Sequence, residues 1–179
     1  MSKLEQLLVG VVALAGGEIV GRIRLQKVVY LLDQIGMNSG ASFEYRHYGP
    51  YSESVSDAVT DAKFWGHISE AVSFRVADGA PYSSFKIKSP EPEQQSPEPE
   101  QLGNLSANAA KQHLKMLASH TSTVLELAAT VHWLVFKEKN KDWRSEIETQ
   151  KAGKTSNGRL ETALRLLNEM ELAPINGIR

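Results

Sequence analysis

A mainly helical α+β fold, with a winged-helix-like head packed on a C-terminal helical lobe, is predicted by three features of the 179-residue sequence. Apolar residues recur at helical spacing in three segments before residue 66, and two alternating apolar and polar segments follow them. Helical spacing returns after residue 106. Between the halves lies a duplicated proline and glutamate stretch that cannot build a core. Hydrophobic residues make up 41% of the chain, enough to bury a sizeable interior.

The first helix is marked by Leu4, Leu7, Leu8, Val11, Leu14 and Ala15 on one stripe. The apolar run over residues 7–15, after Lys3, also imitates a signal peptide, but Glu5 neutralises the leading charge and the stripe favours a core helix. Gly16, Gly17 and Gly21 form an inter-helix turn. The second helix carries Leu25, Val28, Val29 and Leu32, and Gly36 stops it. Residues 37–51 break the period; Pro50 holds Gly49 away from helical geometry, so a loop or short extended segment is expected. A third helix follows, capped by Ser52 or by Ser54 in a Ser54-x-x-Asp57 capping box, with Val55, Val59 and Ala62 inward and Gly66 at its end. Val72, Phe74 and Val76 alternate, Asp78-Gly79 turns, and Phe85 and Ile87 alternate back as a β-hairpin. Three helices and a hairpin give the order of a winged helix, an order that also occurs in folds that never touch DNA.

Ser-Pro-Glu-Pro-Glu-Gln at residues 89–94 is repeated at 96–101. Alternating prolines and unpaired glutamates predict a solvated, polyproline-like spacer. In the tail, residues 107–119 read as a helix, Thr123-x-x-Glu126 as a capping box, and residues 124–136 as a helix apolar nearly all round, hence central. Asn157 is expected to cap a last helix bearing Leu160, Ala163, Leu164 and Leu167. The expected units are a head at 1–88, a spacer at 89–101 and a tail at 102–179 packed on the head.

Charge sets limits on partners. With 20 Lys and Arg against 21 Asp and Glu, the formal net charge is -1, and the pI is about 6.5. No global field draws the chain to nucleic acid or membrane, and no apolar stretch is long enough to span a bilayer. Cysteine is absent, which removes disulfides, thiolate nucleophiles and Cys-ligated zinc. A cytoplasmic location is expected. The five histidines, His47, His67, His113, His120 and His132, show no i, i+4 pair for a metal, and His132 reads as a core residue. Gly153-Lys154-Thr155 resembles the end of a phosphate loop, but Glu148 stands where its first glycine is needed, so a solvated turn is expected. Without a Gly-x-Ser-x-Gly elbow, and with Asp57 and Asp61 read as a solvated helix face, the sequence predicts no enzyme, no cofactor and no metal.

Two constellations stand out as partner-binding candidates. Arg22, Arg24 and Lys27 open the second helix, and Arg46 lies in the following loop; guanidinium forks there suit phosphates or carboxylates. The bland alternative is that these groups cover the core and pair with Glu18, Asp33 and Glu44. Tyr48-Gly49-Pro50-Tyr51 is the second, a sharp turn displaying two tyrosines, which suits a binding surface or packing on the helices.

Leu25-Gln26-Lys27 with Tyr30, followed by Tyr48-Gly49-Pro50-Tyr51-Ser52, resembles the paired signature of the Panacea domain, including SocA-like proteins, and more closely that of the YwgA-like group. Residues 127–132, Leu-Ala-Ala-Thr-Val-His, are also similar to the YwgA-like pattern. The resemblance covers about residues 10–70 and 124–170; the duplicated spacer departs from it. It implies a non-enzymatic protein-binding module, an antitoxin or an adaptor that delivers a toxin for proteolysis, with the toxin encoded nearby in a toxin or phage-defence operon. Gln26, Lys27, Tyr30, Tyr48, Gly49 and Pro50 carry over as structural or binding candidates. The alternative is a winged-helix DNA or RNA regulator using Arg22, Arg24, Lys27 and the hairpin. Self-association into a homodimer is left open.

Overall fold

The computed structural model describes residues 1–88 and 99–174. The head runs α1 (Lys3–Leu14), β1 (Glu18–Val20), α2 (Arg22–Gln34), β2 (Glu44–Arg46), β3 (Gly49–Tyr51), α3 (Glu53–Phe64), β4 (Ile68–Phe74) and β5 (Pro81–Ile87). An antiparallel sheet in the order β1-β5-β4 carries the hairpin as a wing, and β2 and β3 pair separately. The winged-helix-like head is therefore present, with one strand the sequence did not reveal. Strand β1 is three residues long, too short for alternation to register, and its identity comes from pairing Ile19 with Phe85 across the sheet, both buried.

Local signals explain most helix ends. Ser2 and Glu5 form a reciprocal capping box on α1. Ser52, not Ser54, caps α3 by accepting from the Val55 N–H at 3.3 Å, while Ser54 bonds to the Ser52 hydroxyl.

The tail comprises β6 (Gln101–Leu102), β7 (Leu105–Ser106), α4 (Ala107–Ala118), α5 (Ser122–His132), α6 (Trp143–Gln150), α7 (Ala152–Thr155) and α8 (Arg159–Glu169), with a π-helical turn, Trp133–Lys137, prolonging α5. Thr121 caps α5, two residues before the expected Thr123, which frees Glu126 for another role. Gly158 caps α8 where Asn157 was expected. Every residue of α5 from Val124 to His132 is buried, and the helix packs against both α2 and α8. Head and tail thus share one hydrophobic core.

The tail's entry is seated on the head at Gly103. Its φ is +60°, and a Cβ there would lie 1.9 Å from the Met37 carbonyl oxygen, so only glycine fits. The next residue, Asn104, donates its N–H to that oxygen at 3.1 Å. Of the expected spacer, residues 89–98 lie outside the described residues; Gln101 pairs with Ser106 at its end. No helix among the described residues is long and apolar enough to cross a membrane.

Candidate functional site

The two sequence motifs meet in space, one fastening the other. Along the buried side of α2, Gln26 works as a two-pronged clamp: its amide nitrogen donates to the Ser52 carbonyl, and its amide oxygen accepts from the Ser52 N–H, both at 2.9 Å. One side chain thereby satisfies both backbone groups of Ser52. Lys27 is buried and donates to the Pro50 carbonyl at 2.5 Å. Tyr30 shares a hydrogen bond of 2.8 Å with His132 Nδ1 on α5. Burial pushes the Tyr30 hydroxyl up and the His132 imidazole down to about 4, so the histidine is a neutral core residue.

Behind the turn lies a buried ionic cluster that no sequence motif announced. Glu126 on α5 accepts from Lys151 at 2.9 Å and from Lys154 at 2.8 Å, and Lys151 also donates to the His47 carbonyl. Gly153-Lys154-Thr155 is therefore a one-turn helix holding an ion pair, where a solvated turn was expected. Burial lowers Lys27 to about 8, with Glu126 opposing and Lys151 and Lys154 reinforcing the shift. At Gly49, φ is +79° and a Cβ would fall 2.5 Å from the Thr130 hydroxyl. The turn is thus held from α2, α5 and α7 together.

Its outer side forms one wall of a cleft of about 420 Å³. Leu25, Val55, Val59 and Phe85 give it an apolar lining, and Arg22, Arg46, Tyr48 and Tyr51 give it a polar and aromatic rim. Apolar concavities with a few convergent polar groups are where proteins most often bind. At one end Glu70, nearly buried, meets Arg22 at 2.6 Å and Lys63 on its other oxygen. Burial alone would raise its pKa; the interactions with Lys63, Ser83 and Arg22 outweigh that and hold it at about 2. At the other end Arg46 pairs with Glu44 and with Glu53, and its guanidinium lies 4.4 Å over the Tyr51 ring. The exposed Tyr48 ring carries Lys154 at 4.6 Å.

Of the ten candidate residues, Arg22, Gln26, Lys27, Arg46, Tyr48, Gly49 and Tyr51 line the cleft. The other three do not. Arg24 donates to the carbonyls of Leu117 and His120, closing the end of α4. Tyr30 and Pro50 are buried behind the turn. Glu70, Lys63, Glu126, Lys151 and Lys154 were missed: Glu70 lies 48 residues from Arg22, and Glu126 lies 25 and 28 residues from its lysines, while Lys63 and Glu70, seven apart, sit on different elements. Arg22 and Arg46 have carboxylate partners, although only Arg46–Glu44 is among the expected pairs; Asp33 instead bonds Ser39, and Glu18 pairs with Lys86. Among the described residues no group of three potential ligands could hold a metal.

No family model matches the chain. A curated protein of Thermus aquaticus named DNA ADP-ribosyl glycohydrolase is 28% identical to it over 136 residues, which is 72% of this chain and 34% of that protein. The chain spans about a third of the length of the curated relative it matches. This finding corrects the expectation that the chain is no enzyme, since the relative is named for a hydrolase. Catalytic groups that a fold brings together need no fixed sequence spacing, so the lack of a local motif such as a Gly-x-Ser-x-Gly elbow does not exclude an enzyme.

Proposed function

We propose that the chain is a partner-recognition module of the antitoxin or adaptor kind, working alongside a DNA ADP-ribosyl glycohydrolase activity, and that a protein partner enters the cleft between α2, the tyrosine turn and α3. The observation that carries this reading is the cleft itself: an apolar lining, rimmed by two tyrosines and two arginines, on a turn made rigid by three helices. Tyr and Arg are the residues that dominate protein interfaces, and a rigid display lowers the ordering cost of binding. The paired motif resembling Panacea and YwgA-like proteins supports the same reading, because its residues build the cleft wall. The setting comes from the relative's name.

A second reading, nucleic-acid binding by the winged-helix-like head, is favoured by that relative's being named for DNA. Electrostatics weighs against it. The exposed face of α3 presents Glu53, Asp57 and Asp61, and the nearby guanidinium of Arg46 is shared between two carboxylates. Such a surface repels phosphates.

One experiment separates them. The chain is used to capture proteins from its native host, beside Tyr48→Ala, and is titrated with duplex and single-stranded DNA at two salt concentrations. A specific protein captured by the wild type and lost from the folded variant is expected. Tight DNA binding whose logarithm falls with log salt by about 0.9 per phosphate contact would replace the protein-partner reading with the second. Release of ADP-ribose from modified DNA by the chain alone would place the relative's activity within these residues.

A further inference from the structure

The wing presents an unfinished sheet. Strand β4 pairs with β5 on one side, and among the described residues its other edge has no strand partner. The bonds from Arg75 N–H to Ala80 and from Lys88 N–H to the His67 carbonyl show that odd-numbered residues of β4 face β5. The backbone groups of Ile68, Glu70, Val72 and Phe74 therefore point to the open edge. Among the described residues no hydrogen bond reaches the edge groups of Glu70, Val72 or Phe74.

The same four residues share one sheet face, because side chains alternate along a strand. Ile68 on that face is core, and so is Phe85 opposite Glu70. Beyond the core the face continues as Val72 and Phe74, which are 60% and 67% exposed. An edge strand of seven residues with apolar side chains and no lysine, proline or glycine lacks the usual devices that prevent edge pairing. Its only charge, Glu70, is tied inward by Arg22 and Lys63.

We propose that this edge pairs with the same edge of a second copy of the chain, antiparallel and centred on Val72, joining two three-stranded sheets into one of six strands. The strand is self-complementary in that register. Val72 meets its own copy, and Glu70 lies opposite Phe74, so no like charges face one another. Two cations share the Glu70 carboxylate, which leaves one positive charge beside the partner's Phe74 ring. Arg22, with its side chain 71% exposed, is placed to cover that ring. On the other face Ala71 lies opposite Ser73, both small. A two-fold contact of this kind closes on itself and does not propagate into a fibre. The tyrosine end of the cleft stays open, so the inference does not rest on the function proposed above.

The test is sedimentation velocity on the full chain from micromolar to several hundred micromolar, beside Val72→Lys and Phe74→Ser. Both positions are largely exposed, so both variants are expected to keep the wild-type circular dichroism. A concentration-dependent dimer is expected for the wild type and a monomer for Val72→Lys, which sets two ammonium groups against each other. The chain has no cysteine, so Val72→Cys adds a single thiol. Hydrogen-bonded antiparallel neighbours have Cα atoms about 5.5 Å apart, within disulfide reach. That variant should oxidise to a covalent dimer, whereas Lys86→Cys, on the opposite face of β5, should not. A wild type that stays monomeric throughout overturns the proposal. So does a dimer that survives Val72→Lys or fails to cross-link through position 72.

Discussion

Gly49 is the residue on which the site depends most narrowly, since it combines a left-handed φ with direct approach to the Thr130 hydroxyl. A non-glycine residue in that backbone region costs on the order of 1–3 kcal/mol. Gly49→Ala is therefore expected to lower the unfolding free energy, read from urea melts, by that amount. Adding Thr130→Ala should recover only the part due to the steric contact. A change below a few tenths of a kcal/mol would show that the turn is not held as described. His132 gives a pH dependence with a definite sign. Its folded pKa, about 4, lies below the ordinary value of 6.5, so between these the unfolded chain binds more protons. Stability is intact above pH 6.5 and is lost as pH falls toward 4, by about 3 kcal/mol at most. Glu70, held at about 2, adds a separate loss below its ordinary 4.5. His132→Asn should abolish the first window and leave the second, as read by chemical denaturation across pH. At this scale the sequence singled out both motifs, but it did not show that Gln26, Lys27 and Tyr30 point inward as fasteners. Helical periodicity identifies a face; it does not identify a carbonyl 23 residues away.

At the scale of elements, the β2–β3 turn, α5 and the short α7 are joined by Glu126 through Lys151 and Lys154, the second of which lies in the segment expected to be a solvated turn. Removing one member of a buried ion pair leaves the rest uncompensated, typically at about 3–5 kcal/mol. Glu126→Ala is expected to destabilise the chain by that order, and hydrogen exchange should quicken over residues 44–51 and 151–155 together. Exchange confined to α5 would mean that the cluster does not clamp the turn. Helices α1 to α3 and the wing were legible because apolar spacing and glycine stops are local signals. Strand β1 was not, because three residues between glycines become a strand only through pairing with β5. The Thr123 and Glu126 spacing matched a capping box, yet Thr121, two residues earlier, took the cap and Glu126 turned inward. Local propensity yielded there to a tertiary ion pair.

For the molecule as a whole, α5 is the shared wall of head and tail. Leu127 on it and Leu134 on the π-helical turn that prolongs it are both buried, and truncating such a leucine costs about 2–5 kcal/mol. Leu127→Ala should lower the melting temperature of head and tail probes equally, with one calorimetric transition. Two separable transitions in the wild type would mean two cores. The all-apolar character of residues 124–136 made a covered central helix legible, whereas the way the tail's entry docks on Met37 through Gly103 depends on a backbone contact that no residue pattern encodes. The function assigned to the cleft is tested most directly by placing a photo-reactive phenylalanine analogue at Tyr48, on the exposed rim, and illuminating the chain in its native host. A single protein cross-linked at position 48 and absent when the analogue is moved to Glu161, on the exposed side of α8, is the expected result. Cross-linking to nucleic acid at position 48, or to no macromolecule, would contradict the assignment of this cleft to a protein partner.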